Sequence, residues 1–270
     1  MRTIVFVHAH PDDESSLTAG SMAMAHDRGD RVIEIFATSG ELGEKDPEPP
    51  GPETVSEQRR REAVRAAEVI GIDCVEWLGY EDSGMTGWSQ NADPSNFVSA
   101  STEEVASRVA GIADREGADF LVGYDWHGTY GHPDHVKVHE VVMRAGELSS
   151  CRPCVLQATT HQEERKSMIS RGIAMGLLPD DGTWDPETRG DDGRPVGVPE
   201  KEIKWAVDLT DEYIERKRRA LSCHASQRSD VGFFLSLPPE LFKILFHAEY
   251  YIDTDAGAAM CHGWPFGGNL

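Results

Sequence analysis

The chain has 270 residues, with 47 acidic and 26 basic side chains, so its formal net charge is −21 at pH 7. This acidity argues against binding to nucleic acid or to anionic membranes, whose phosphates repel a negative surface. Apolar residues make up 39% of the chain and there are 26 glycines, a composition typical of a globular protein with a folded core. No apolar run reaches the roughly 18 residues that a membrane-spanning helix requires, so no span is predicted.

The N-terminus and the cysteines indicate a cytoplasmic protein. The first apolar run breaks after Val7 into a cluster of histidines and carboxylates, which is unlike a secretory signal. The five cysteines are odd in number and dispersed, so no disulfide framework is expected. Cys151 and Cys154 form a lone CxxC, for which a structural role is favoured over a redox role.

The first 148 residues alternate predicted strands and helices. A β-branched run predicts a buried strand at 2–8, and Ser15 or Ser16 is expected to cap a helix that Gly29 ends. The segments that follow are a strand at 31–37, a loop rich in Gly, Pro and acids at 39–54, a helix at 55–70, a strand at 74–78, a helix at 102–116, a strand at 119–122 and a helix from Pro133 to about residue 147. This order predicts an α/β fold, a Rossmann-like, doubly wound, mostly parallel sheet with helices on both faces.

Beyond residue 150 the pattern is less regular. The expected segments are a strand at 153–158, a helix at 161–175, an irregular acidic loop at 179–200, a strand at 203–208, a helix at 211–222 and a terminal strand at 247–252. No linker or internal repeat divides the chain. We therefore predict one domain over 1–270, in which residues 149–270 elaborate a Rossmann-like core formed by residues 1–148.

Two polar clusters follow predicted strands, at the edge of the sheet where α/β proteins bind their ligands. The first is His10-Pro11-Asp12-Asp13-Glu14, and the second spans 130–135, Tyr-Gly-His-Pro-Asp-His. Neither a dinucleotide-binding G-x-G-x-x-G nor a Walker loop is present. Imidazole with carboxylate is a zinc-type ligand set, and in each cluster a pair spaced i, i+3 can converge on one ion. One such residue alone would more often be a cap or a turn, but two clusters at one edge favour metal-dependent hydrolysis.

The motifs HPDDE and GHPDH resemble those of the LmbE/PIG-L family of zinc-dependent N-acetylglucosaminyl deacetylases. Within that family the chain is most similar to the mycothiol-pathway deacetylase and the mycothiol S-conjugate amidase, through these motifs and through Asp-Ser-Gly-Met at 82–85. Arg59-x-x-Glu62 and the segment 223–227, Cys-His-Ala-Ser-Gln, add weaker support. The resemblance covers residues 3–145 closely and the remainder loosely.

The resemblance implies that His10, Asp13 and His135 are the metal ligands. The implied metal is Zn²⁺, and the same two histidines and one carboxylate would also accept Fe²⁺. Asp12 is then the general base for a water molecule that the metal activates. No organic cofactor is implied.

The resemblance also assigns roles around this metal. His132 would be protonated or hydrogen-bonding, and would stabilise the oxyanion or donate to the leaving amine, while Asp134 orients its imidazole. Tyr130 matches a tyrosine that reaches the reacting carbonyl, for which loop packing is an equal alternative. Arg59 and Asp82 match positions that bind sugar hydroxyls or a linked phosphate-like group.

The implied reaction is hydrolysis of the N-acyl amide of a small molecule that contains N-acetylglucosamine, with release of acetate. The alternatives are a mycothiol S-conjugate amidase and a deacetylase that tailors a glycosylated secondary metabolite. A non-catalytic metal-stabilised binding protein is disfavoured because both Asp12 and His132 are present, and a nucleotide-binding α/β protein because the Gly-rich loop is missing. The resemblance also makes a homo-oligomer an expectation.

Overall fold

The computed structural model describes residues 1–43, 53–229, 231–254 and 259–267. The strands described there form one sheet in the order β3-β2-β1-β4-β5-β7-β6-β8. Their bounds are β1 Thr3–His8, β2 Arg31–Thr38, β3 Cys74–Tyr80, β4 Phe120–Tyr124, β5 Cys154–Thr159, β6 Trp205–Asp208, β7 Ala248–Ile252 and β8 Cys261–His262. Strands β1 to β5 pair in parallel, β7 is antiparallel to β5 and β6, and β8 is parallel to β6. The predicted Rossmann-like, mostly parallel sheet is confirmed.

Helices cover both faces of this sheet. They are α1 Ala19–Asp27, α2 Val55–Ile70, α3 Thr102–Glu116, the single turn α4 Gly128–Gly131, α5 Pro133–Leu148, α6 Gln162–Ala174, α7 Asp211–Cys223, α8 Val231–Leu235 and α9 Pro239–Leu245. The side chains of β1 alternate between two apolar clusters, because successive residues of a strand point to opposite faces. Phe6 packs in the cluster with α1, α2 and α7, and Val5 and Val7 pack in the cluster with α3 and α5. No helix among the described residues is both long and apolar enough to cross a membrane.

The predicted elements agree with the structure to within a few residues, with two differences. The short helices α4, α8 and α9 and the two-residue strand β8 were not predicted. Ser15 and Ser16 do not cap a helix, because they lie inside a π-helical turn, Glu14–Thr18, that precedes α1 and begins after Asp13. Of the predicted loop at 39–54, residues 44–52 lie outside the described part of the chain.

The site is positioned by β1, β4 and α2. Strands β1 and β4 are direct neighbours, with Phe6 opposite Val122, so the segments that follow them leave the same edge of the sheet. Helix α2 begins at a capping box in which the Thr54 side chain accepts from the amide of Glu57. Its buried face carries Arg59, which lies beneath the turn that follows β1.

Candidate active site

The turn after β1 brings three of the predicted site residues together. The amide of His10 donates to Asp13 Oδ2 at 2.8 Å, and the same oxygen lies 3.3 Å from His10 Nδ1. Asp12, between them, has a φ of 110°, which residues other than glycine rarely adopt. Its amide donates to Glu14 Oε2 at 2.8 Å. Glu14 therefore stabilises the strained turn that places Asp12 beside the two candidate ligands.

The N-terminus of α5 places two further histidines against this turn. Gly128 has a φ of 65°, and a Cβ there would lie 2.5 Å from the Cβ of His135, so the close approach requires glycine. The ring of His132 lies 4.7 Å from the ring of His10, centroid to centroid, and 5.1 Å from that of His135. Ligand atoms of these three imidazoles lie within 4.8 Å of one another.

Hydrogen bonds to the backbone fix different tautomers of the neutral His132 and His135 rings. The amide of Asp134 donates to His132 Nδ1 at 3.1 Å, so in the neutral ring Nε2 carries the hydrogen. His135 Nδ1 lies 3.2 Å from the carbonyl oxygen of Gly128, which only accepts, so Nδ1 carries the hydrogen and Nε2 a lone pair. That Nε2 is buried, makes no hydrogen bond and faces Asp13 Oδ1 at 3.3 Å. A cation between these two electron-rich atoms would satisfy both, so the donor set fits a metal ion.

The His132 ring is a neutral hydrogen-bond donor. Burial, together with the nearby His10 and His135, lowers the pKa of His132 to about 2. Its Nε2–H group therefore remains uncharged at physiological pH. Of the two forms that the resemblance implied, the structure favours the hydrogen-bonding form over the protonated one.

Two carboxylates lie on the far nitrogen of His10. Asp134 Oδ2 lies 3.2 Å from His10 Nε2 and accepts from the amide of Ser83, and Asp82 Oδ1 lies 3.6 Å from the same nitrogen. The expectation that the Asp134 carboxylate orients His132 is wrong. Asp134 is the second residue of the helix that the His132 ring caps, so only its backbone amide meets that ring. His10, Asp82 and Asp134 form a second group with the spacing of a metal site.

Burial and the neighbouring charges act in opposite directions on the pKa values of His10 and Asp13, and the charges have the larger effect. Burial acts to lower the pKa of His10, but the carboxylates of Asp82, Asp13 and Asp134 outweigh it and hold that pKa well above its usual value. Burial acts to raise the pKa of Asp13, but His135 and His10 outweigh it and hold that pKa well below its usual value. Asp13 is therefore ionised, which is the form that binds a metal.

Asp12 lies against the guanidinium of Arg59. Nη2 of Arg59 donates to Asp12 Oδ2 at 3.2 Å and to the carbonyl of Pro11 at 2.5 Å, while Nη1 donates to the carbonyl of Gly40 at 2.6 Å. Burial raises the pKa of Asp12 to about 7, although Arg59 acts to lower it. A carboxyl group that titrates near neutrality is suited to accept a proton and return it.

These groups open onto a pocket of about 300 Å³. Apart from Asp134 and His135, every predicted site residue lines it, and Tyr130 lies with its ring 4.9 Å from that of His135. Six lining residues were not predicted as site residues: Leu42, Gly43, Gly84, Met85, Trp88 and Gln227. Gly84 and Met85 carried a sequence signal because they belong to the Asp-Ser-Gly-Met motif at 82–85, and Gln227 because it ends the weakly matching segment 223–227.

That segment explains the two weaker motifs. His224 Nε2 donates to Glu14 Oε1 at 2.7 Å, with both side chains buried. Ser226 Oγ donates to Glu62 Oε2 at 2.6 Å. The segment that follows α7 thus stabilises the turn after β1 and the buried face of α2, and through Glu14 it is linked to the backbone amide of Asp12.

The mostly parallel sheet carries histidines and carboxylates at its carboxyl edge, beside one pocket, which is the arrangement of an α/β enzyme whose donor set fits a metal ion. The family model described as PIG-L, GlcNAc-PI de-N-acetylase, matches residues 5–146. The chain belongs to the PIG-L family, whose named members are deacetylases that hydrolyse amide bonds. The family resemblance and the enzyme class predicted from the sequence are confirmed.

Two curated relatives cover nearly the whole chain. The 1D-myo-inositol 2-acetamido-2-deoxy-alpha-D-glucopyranoside deacetylase of Thermomonospora curvata is 32% identical over 282 residues, which cover 97% of this chain and 94% of the relative. The enzyme of the same name from Streptomyces avermitilis is 32% identical over 268 residues, 93% of this chain and 91% of the relative. The prediction of a deacetylase of N-acetylglucosamine-containing molecules is in this sense confirmed.

Solved structures support the fold. N,N'-diacetylchitobiose deacetylase from Pyrococcus horikoshii has a TM-score of 0.55 at 21% identity and covers 87% of this chain and 75% of its own. GalB, the 4-carboxy-2-hydroxymuconate hydratase of Pseudomonas putida, has a TM-score of 0.56 at 18% identity, and the match covers 97% of this chain and 99% of GalB. One fold thus accommodates a deacetylase and a hydratase, so the chemistry must be argued from the site. The single-domain boundaries, the cytoplasmic location and the homo-oligomer stay predictions.

Proposed function

We propose that this chain removes the N-acyl group from a small molecule that contains N-acetylglucosamine, using a bound divalent metal. The observation that carries the proposal is the division of roles among three neighbouring side chains. His135 presents a lone pair to a metal, His132 presents an N–H group, and Asp12 presents a carboxylate whose pKa lies near 7. Metal-dependent amide hydrolysis uses these three functions.

His10, Asp13 and His135 would hold the metal. Zn²⁺ is the ion proposed, and Fe²⁺ is the alternative that the same donors accept. When bound, the ion supplies Lewis acidity and lowers the pKa of water to about 7. Asp82 and Asp134, on the other side of His10, would hold the imidazole in orientation.

The remaining steps belong to the protein. The Asp12 carboxylate takes the proton of the attacking water and returns it to the departing amine, while Arg59 keeps the carboxylate in place. His132 Nε2–H donates to the carbonyl oxygen as negative charge develops on it, and Tyr130 borders the same space. In other enzymes, removing one hydrogen-bond donor to the oxyanion lowers the rate by about 100- to 1,000-fold.

Arg59 and Asp82 remain the proposed substrate-binding residues, but Asp82 would contact the substrate directly and Arg59 would act mainly through Asp12. Asp82 lines the pocket and offers carboxylate oxygens to sugar hydroxyls. Arg59 also lines it, but its terminal nitrogens bond to Asp12 and to two backbone carbonyls. We therefore propose that Arg59 acts on the substrate mainly by orienting Asp12.

The test is a panel of N-acetylglucosamine glycosides with varied aglycones, inositol included, given to enzyme that is metal-depleted, Zn²⁺-loaded or Fe²⁺-loaded. Acetate release by the loaded forms alone supports the proposal. Release of an acylcysteine conjugate in place of acetate would instead identify a mycothiol S-conjugate amidase, and preference for a glycosylated natural product would identify a tailoring enzyme. Absence of amide hydrolysis with every metal and glycoside would overturn the proposed function.

A further inference from the structure

Trp88 differs from the other five tryptophans of the chain in what its ring meets. Each of those five has an aromatic ring or a cationic group 4.3–5.7 Å from its own ring centre: Trp77, Trp126, Trp184, Trp205 and Trp264. Among the described residues, no ring or cation covers Trp88 in this way. The residue is 48% exposed and lines the pocket of the candidate active site. An aromatic face that stays open to water in a binding pocket is available to a ligand.

The loop that carries Trp88 holds the indole in place. Gly84 has a φ of 69°, and a Cβ there would lie 2.7 Å from Cε3 of Trp88, so the ring packs directly on the backbone of Gly84. Asn91 braces the loop, since its Nδ2 donates to the carbonyl of Ser83 at 2.6 Å and its Oδ1 accepts from the amide of Gly87 at 2.8 Å. A ligand that binds the indole therefore needs to order little of the protein.

Trp88 lies at the mouth of the pocket, beyond Asp82. Asp82 Oδ1 lies 3.6 Å from His10 Nε2 and accepts from the amide of Gly84, the residue on which the indole packs, at 2.8 Å. The exposed fraction rises along this path from 7% at Asp82 to 48% at Trp88. In a glycoside of N-acetylglucosamine, the aglycone is on the carbon next to the one that bears the reacting amide. With the amide at the candidate metal ligands and the sugar hydroxyls at Asp82, the aglycone is the part of the substrate that reaches Trp88.

The mouth of the pocket offers two kinds of surface. Trp88 presents an apolar face, and Asp82 and Gln227 line the same pocket with polar atoms. A saturated ring with several hydroxyl groups matches both, because its C–H bonds cover the faces of the ring and its hydroxyls form the rim. A methyl aglycone would leave the indole exposed.

We infer that Trp88 is the platform on which the aglycone of the substrate stacks, and that this aglycone is a polyhydroxylated saturated ring, a cyclitol or a second sugar. The inference rests on the proposed function and deepens it. Stacking stabilises the bound substrate and the transition state alike, because the aglycone takes no part in the reaction. It therefore acts on KM and leaves kcat unchanged.

The experiment uses the metal-loaded full chain with N-acetylglucosamine linked to methyl, myo-inositol or glucose, and the released amine is quantified. In Trp88→Ala we expect KM to rise about ten-fold for the preferred ring aglycone, with kcat within about two-fold of wild type and the KM of the methyl glycoside unchanged. The ring aglycone that shows the larger rise distinguishes a cyclitol from a second sugar. Trp88→Phe keeps an aromatic face and should retain most of the wild-type affinity.

Trp126 provides the matched control. It is 42% exposed and lies outside the pocket, and the guanidinium of Arg194 lies 4.9 Å from its ring centre. Trp126→Ala should leave the KM of all three glycosides at the wild-type value. An unchanged KM for both ring aglycones in Trp88→Ala, or an equal rise for the methyl glycoside, would overturn the stacking platform and leave the deacetylase proposal standing. Absence of hydrolysis with all three glycosides would overturn both.

Discussion

Replacing Asp12 by Asn tests the assignment of the base most directly. The amide has the shape of the carboxylate but cannot accept the proton of the attacking water. His10, Asp13 and His135 are untouched, so metal content should stay at the wild-type value. General-base catalysis contributes about 100- to 10,000-fold, and kcat should fall by that factor, which corresponds to about 2.7–5.4 kcal/mol of barrier.

The same change has two opposing effects on stability. The guanidinium of Arg59 loses a charged acceptor at 3.2 Å but keeps the carbonyls of Pro11 and Gly40. Burial nevertheless outweighs Arg59 and raises the pKa of Asp12 to about 7, so the ionised carboxylate is less favourable in the folded chain than in the unfolded chain. The neutral amide removes that cost, so the Tm at neutral pH and above should not fall below the wild-type value.

The two effects separate in the assay. Bound metal per chain is measured by elemental analysis and the Tm by scanning calorimetry, and single-turnover amine release is followed at least 20 °C below the lower Tm. Asp180→Asn is the matched control, because Asp180 is exposed and lies outside the pocket. A metal-loaded Asp12→Asn enzyme that keeps more than about a tenth of the wild-type rate would refute the assignment of Asp12 as the base.

Three further changes test the surrounding structure. His224→Asn removes the donor to Glu14 and should lower kcat about ten-fold at unchanged metal content. In His224→Gln the side-chain amide reaches the position of Nε2, so most of the wild-type kcat should be retained. Equal kcat values for the two variants would contradict a positioning role of His224 through Asp12. Lys217→Met leaves Glu249 buried without its cation and should reduce the free energy of unfolding by about 3–5 kcal/mol in urea titrations, with partial recovery in the double variant Lys217→Met/Glu249→Gln. Removing the metal with a chelator should lower the Tm and abolish amide hydrolysis, and Zn²⁺ or Fe²⁺ at 100 times its Kd should return about 2.7 kcal/mol; an unchanged Tm would argue against a metal at this site.

The sequence was most informative where local pattern and topology coincide. Runs of β-branched residues predicted β1 and β4, and the parallel α/β order implied that the segments following them meet at one edge. The i, i+3 spacing in HPDDE and GHPDH then placed the pairs His10/Asp13 and His132/His135 there. The helices at 231–235 and 239–245 escaped prediction because one or two turns carry no measurable period.

The sequence by itself determined which side chains gather at the carboxyl edge, because strand order and turn spacing depend on residues near one another in the chain. Only the tertiary structure decided what each side chain presents there. His132 and His135 are both histidines at the same helix end, yet their Nε2 atoms differ. The amide of Asp134 donates to Nδ1 of His132, so Nε2 of that ring carries a hydrogen, whereas Nδ1 of His135 donates to the carbonyl of Gly128, so Nε2 of that ring keeps a lone pair. Likewise, the turn that contains Asp12 is stabilised by a hydrogen bond between Glu14 and His224, which are 210 residues apart in the chain. No local sequence pattern encodes a contact between segments so far apart.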